Sequence, residues 1–69
     1  MYRIHYTFVI YHNKKEEVTY SERSYYDVSS SETPSGESCR KEIIGLAQKH
    51  CTNKNLVIRH ANYFKIEKL

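Results

Sequence analysis

The stretch "YRIHYTFVIYH" (residues 2–12) decides the fold, because it writes two different rows of side chains onto one strand. Tyr2, Ile4, Tyr6, Phe8 and Ile10 fall on one side, and Arg3, His5, Thr7, Val9 and Tyr11 on the other. Successive strand residues point to opposite faces, so the apolar even row implies a face pressed onto a core. The odd row, with its arginine, histidine and tyrosine, implies a second face that does not make the core.

The rest of the chain supplies partners for that strand. "HNKK" (12–15) reads as a turn, since asparagine tolerates left-handed backbone and the lysines stay solvated. A second strand follows from about Glu16 to Tyr26, forming an antiparallel hairpin with the first. Val18, Tyr20, Tyr26 and Val28 share its apolar side, opposite Glu17, Thr19, Ser21, Arg23 and Tyr25. Glu22 and Ser24 interrupt the apolar row, which predicts a strand that outruns the core or carries a bulge.

"SSSETPSGES" (29–38) is the single low-complexity stretch, and residues 29–36 read as a flexible Ser-rich connector. The next helix starts either with Thr33 as cap and Pro34 in the first turn, or with Ser35 as cap and Glu37 in the first turn. Cys39, Ile43, Leu46, Ala47 and His50 then form one helical face over about residues 35–51, and Glu37 can pair with Lys41. "TNKN" (52–55) ends the helix. A third strand is expected at Leu56–His60, a turn at Ala61–Asn62, and a last strand at Tyr63–Lys68 with Phe64 and Ile66 inward. The expected fold class is α+β: one domain of residues 1–69, a small antiparallel sheet in ββαββ order with one helix packed on one face. A single helix covers a single face, so the other is open.

Composition narrows the function classes. In 69 residues there is room for one small core, and no apolar run approaches the roughly 18–20 residues of a spanning helix. No secretory signal pattern opens the chain, so a cytoplasmic location and no membrane partner are expected. The net charge of +3 arises from 11 basic and 8 acidic residues, well mixed. That is neither a dense nucleic-acid-binding patch nor the acidic surface of a DNA mimic.

The four histidines and two cysteines raise the question of metal, and spacing answers it. Cys39 and Cys51 stand twelve residues apart on the expected helix, roughly 18 Å along its axis, whereas a disulfide needs α-carbons within about 7 Å. His50 and Cys51 diverge by about 100° around a helix, and no C-x-x-C or paired helical histidines occur. Cys39 and His50 are expected to pack against the sheet, with no metal and no cofactor. Nor is there a nucleophile elbow or a glycine-rich loop, and Glu16 and Glu17 sit at a turn as solvated charge. No catalytic residue is assigned, and the chain is expected not to be an enzyme.

Attention therefore falls on the open face. Alternation assigns it Arg3, His5, Thr7 and Tyr11 from the first strand and Thr19, Ser21, Arg23 and Tyr25 from the second. Val57, Arg59, Tyr63 and Lys65 complete it. These residue types suit any solvated pleated surface, but tyrosine and arginine also dominate the energetics of interfaces. As a binding site the face comprises Arg3, His5, Tyr11, Arg23, Tyr25, Arg59, Tyr63 and Lys65, with Lys41 and Lys49 contributing from the helix. Gly45 on the outer helix stripe either admits another backbone or is a tolerated weak spot. Two partners suit the face: a larger protein or nucleoprotein complex, or, as the alternative, single- or double-stranded nucleic acid meeting tyrosines with its bases and arginines with its phosphates. The aromatic motif of the common four-stranded RNA-binding sheet is absent. An edge strand could also pair two copies into a homodimer.

From "YRIHYTFVIYH" through "SCRKEIIGLAQKHC" to "NLVIRHANYFKIEK", the chain is similar in size and element order to small phage-encoded anti-CRISPR proteins, some of which are ββαββ domains. That resemblance implies an inhibitor that works without catalysis, sitting on a nuclease or surveillance complex and blocking its DNA path. It involves no shared motif and so assigns no residue a role.

Overall fold

In the computed structural model, which describes residues 1–69, β1 (Tyr2–His12) and β2 (Glu17–Val28) form a hairpin. It is followed by α1 (Gly36–Gln48) and β3 (Leu56–Lys68). The sheet is antiparallel with order β2-β1-β3, so β1 alone has a neighbour on each side. The order is thus β-β-α-β: the two short strands expected after the helix are one strand of 13 residues. At about 3.3 Å per residue such a strand is roughly 43 Å long, which accounts for the 44 Å long axis of the molecule.

The turn expected at Ala61–Asn62 is replaced by two irregularities within β3, opposite Thr7–Val9 and opposite His5–Tyr6. At the first, His60 takes a left-handed conformation (φ 58°) and the strand continues through it. Each extra residue reverses which side of the strand faces inward. Ile58 is therefore level with Ile10 on the helix side and Arg59 with Val9 on the open side, but beyond His60 the parity changes. Tyr63 pairs with Tyr6, turns inward and packs against the core, while Phe64 lies on the open face against His5. The second irregularity restores the original parity, returning Ile66 to the helix side. The expected assignments of Tyr63 outward and Phe64 inward are both reversed.

β2 carries one bulge, near its start rather than at Glu22 or Ser24. The register shifts between Ile10 and Tyr11, leaving Thr19 unpaired, its hydroxyl donating to the Ile10 carbonyl at 3.3 Å. Val18 is thereby carried to the open side, opposite Tyr11, and is 57% exposed. Glu22 keeps its place on the helix side because its charge is satisfied there. The Tyr6 and Tyr20 hydroxyls donate to its two oxygens at 2.6 and 2.7 Å. Those bonds hold the Glu22 carboxyl below its ordinary value, and burial followed by the bond to Glu22 pushes the Tyr6 phenol up to about 12. In the hairpin turn the left-handed residue is Glu16 (φ 52°), not an asparagine.

The helix begins where Ser35 caps it, the serine Oγ accepting from the Ser38 N–H at 3.1 Å with Glu37 in the first turn. It ends at Gln48, earlier than residue 51, because the His50 and Cys51 N–H groups turn back to the Ala47 and Gln48 carbonyls. A β-carbon at Gly36 would stand 2.7 Å from the Tyr63 hydroxyl, so any larger residue there requires the tip of Tyr63 to shift. The buried stripe Cys39, Ile43 and Ala47 lies over β1 and β3, and of β2 only Tyr26 and Val28, near its end, pack against the buried clusters the stripe belongs to. Beneath it sit Tyr2, Ile4, Tyr6, Phe8 and Ile10, the whole even row of β1. Both cysteines are free, and the His50 ring stacks on Tyr20 at 4.2 Å and tilts against Phe8 at 5.6 Å.

Only eight residues are buried, so each carries a large share of a stability that is small in any domain of this length. Phe8, fully buried beneath the helix, is expected to lose about 3–5 kcal/mol on replacement by alanine. Circular dichroism of Phe8→Ala should show an unfolded chain at room temperature. A folded spectrum with an unchanged melting point would contradict this placement of the core.

Candidate functional site: the open sheet face

The face opposite α1 is built from the odd row of β1 and the residues that register brings beside it. Arg3 is flanked by Asp27 and Glu67, and His5 by Tyr25 and Lys65. Thr7 lies between Arg23 and Asn62, Val9 between Ser21 and Arg59, and Tyr11 between Val18 and Val57. Cross-strand neighbours on one face stand close enough for long side chains to reach one another, and here they do.

Three guanidinium groups lie over aromatic rings. Arg3 covers Tyr25 at 4.2 Å from the ring centroid, Arg23 reaches across β1 to cover Phe64 at 4.4 Å, and Arg59 covers Tyr11 at 3.8 Å. Each such contact adds about 0.5–1 kcal/mol at an exposed site, and a stacked guanidinium keeps its in-plane N–H donors free. The His5 ring sits between Tyr25 and Phe64, 6.0 Å from each. Tyr25 and Phe64 remain 52% and 48% exposed, so this is a surface array rather than a second core.

Two carboxylates anchor one end. Arg3 Nε and Nη2 donate to Asp27 Oδ1 and Oδ2 at 2.9 and 3.2 Å, a bidentate pair, and His5 Nε2 donates to Glu67 Oε1 at 2.9 Å. The bond from Arg3 holds the Asp27 carboxyl below its ordinary value, and the bond from His5 does the same for Glu67. Arg23 and Arg59 form no ion pair with any carboxylate of the chain. The two ends of the face thus differ: neutralised near Arg3, cationic near Arg23 and Arg59.

Of the residues expected at the site, Arg3, His5, Tyr11, Arg23, Tyr25, Arg59 and Lys65 come together on this face. Tyr63 does not, for the parity reason given above. Lys41 rides on α1 and Lys49 caps its C-terminal end, both on the opposite side of the sheet, and Lys41 reaches Glu37 at 3.7 Å. Asp27 and Glu67 belong to the site and were legible, since each continues an odd row by one more step. Phe64 was not legible, because only the bulges of β3 turn it outward. No group of three His, Cys, Asp or Glu side chains converges as metal ligands, and no cavity indents the surface. No helix is long and apolar enough to cross a membrane. With this geometry in view, comparison with known proteins adds no relative: no family model, curated protein or solved structure matches the chain.

Carboxylates held below their ordinary values favour the folded state fully above those values, and the contribution is lost as pH falls through the lowered ones. Urea unfolding midpoints should therefore decline as the pH drops below about 4.5. Asp27→Asn should flatten that acid limb and lower the neutral-pH midpoint by the same small amount, as expected of an exposed pair. An acid limb of unchanged slope in Asp27→Asn would show that the Arg3–Asp27 pair is not formed in solution.

Proposed function

We propose that the chain is a non-enzymatic binding protein whose open sheet face docks on an acidic surface of a larger protein or nucleoprotein complex. It acts there as an inhibitor or adaptor by occlusion. The observation that carries this reading is the pair Arg23 and Arg59. Both lie stacked on Phe64 and Tyr11, lack an internal carboxylate, and present donors toward solvent. Stacking fixes side chains that would otherwise lose much freedom on binding, so the face is organised before a partner arrives. Planar forked donors match carboxylates in two-point contacts. The aromatic bodies beside them supply the apolar area that interface anchors use.

Nucleic acid is the weaker reading of the same face. Bases stack on aromatic planes, and here guanidinium groups already cover a face of Tyr11, Tyr25 and Phe64. Arg3 and His5 are already engaged by Asp27 and Glu67, so neither is free to meet a phosphate. The resemblance to anti-CRISPR proteins makes the first reading concrete: the complex occluded is a CRISPR nuclease or surveillance complex.

Two assays test the reading together. In cells with active CRISPR systems of several types, the wild-type chain should restore transformation by a targeted plasmid, and Arg23→Ala/Arg59→Ala should lose that effect while remaining folded. Purified protein should leave the anisotropy of labelled single- and double-stranded DNA and RNA unchanged near physiological salt. Tight binding that collapses steeply with added salt would transfer the face to nucleic acid. Inhibition that survives in the folded double variant would remove the face from the mechanism.

A further inference from the structure

One histidine stands inside the arginine–aromatic array. His5 sits between Tyr25 and Phe64, 6.0 Å from each ring, and its side chain is only 24% exposed. Those are the rings that Arg3 and Arg23 cover. The other three histidines lie elsewhere. His12 ends β1 and accepts the Lys15 N–H, His50 packs on the helix side, and His60 occupies the left-handed position of β3.

The groups around His5 come from all three strands. β1 supplies Arg3, β2 supplies Tyr25, Asp27 and, over Phe64, Arg23, and β3 supplies Lys65 and Glu67. The helix lies on the other side of the sheet. Arg3 forms its bidentate pair with Asp27, and Glu67 accepts from His5 Nε2 at 2.9 Å. Leaving Arg23 aside, two cations stand against two carboxylates, so this end is balanced while the imidazole is neutral. Both carboxylates are held below their ordinary values and stay charged wherever histidines titrate. Nδ1 of His5 has no partner within the chain. A proton taken up there meets no further carboxylate and adds an N–H donor to the face. The balanced end then becomes cationic, like the end at Arg23 and Arg59.

We infer that His5 is a proton switch for the open face: its protonation extends the cationic surface from Arg23 and Arg59 to Arg3, and an acidic partner is held more tightly. The inference rests on the docking reading above and supplies its regulation. Because the added charge favours the bound state, affinity rises as pH falls through the titration of His5 and is lost as pH rises.

Octa-aspartate, whose carboxylates remain charged above about pH 5, serves as the probe. Its affinity is read from amide shifts of labelled protein at about pH 5.5 and about pH 8, at one low salt concentration. The wild-type chain should bind roughly fivefold more tightly at the lower pH, since one charge at contact distance in water is worth about that factor. The additional amide shifts should fall at Arg3, His5, Tyr25 and Lys65. His5→Gln, which keeps a donor for Glu67 but takes up no proton, should bind alike at both pH values. Equal wild-type affinity at the two pH values would overturn the switch and leave the docking reading standing. So would a pH response that persists in His5→Gln. Additional shifts gathered at His12 or His60 would overturn it too, and that map decides the matter even if His5→Gln fails to fold. Failure of the probe to bind at either pH would overturn both.

Discussion

The contact between the even row of β1 and the Cys39–Ile43–Ala47 stripe of α1 is the constraint from which the rest of the molecule follows. A helix of 13 residues is about 20 Å long, under half the 44 Å length of the sheet. It therefore roofs the central strand and β3 and, of β2, reaches only the Tyr26–Val28 end, leaving the part around Tyr20 and Glu22 outside its cover. The chain meets that shortage with polar and aromatic contacts in place of further apolar burial. On the helix side Glu22 gathers the hydroxyls of Tyr6 and Tyr20, and His50 stacks on Tyr20. On the far side three arginines lie on three rings.

That second solution gives the open face its character. A sheet face without a covering layer must be stable in water while avoiding a large bare apolar patch. Laying guanidinium groups over Tyr25, Phe64 and Tyr11 does both, since the rings are partly screened and the charges remain hydrated at their edges. The same arrangement prepares donors for a partner. Ordinary surface stability and a binding surface are thus two uses of one set of contacts. What separates them is the imbalance between the ends: Arg3 is matched by Asp27, whereas Arg23 and Arg59 are not matched.

The residues of the core and of β1's open row were legible in the sequence because strict alternation over Tyr2–Tyr11 has one meaning. The helix face was equally plain from the spacing of Cys39, Ile43 and Ala47. What could not be read was the course of β3. An apolar pattern that breaks phase after Arg59 looks the same whether the chain turns or the strand bulges, and the pair Ala61–Asn62 suits a turn. Only the ladder with β1, which extends from Tyr2 to His12, shows that the chain runs straight on through His60. Tyr63 lies between the two irregularities and Phe64 is the extra residue of the second, and so the two exchanged faces. Val18 was misplaced for the same reason, by the single extra residue at Thr19. Glu22 looked like a defect in an apolar row because its two tyrosine partners come from different positions along the fold, one of them on the neighbouring strand.

The central claim is that paired irregularities in β3 turn Phe64 out to complete the arginine–aromatic face and turn Tyr63 in beneath the helix. Nuclear Overhauser contacts from the two rings, in uniformly labelled protein, measure this without any partner. The account predicts contacts from the Phe64 ring to His5 and the Arg23 side chain, and from the Tyr63 ring to Gly36. Contacts from the Phe64 ring to Ile43 or Ala47, with Tyr63 beside His5, would mean that the strand turns at Ala61–Asn62 and that the face described here is not the one the protein presents.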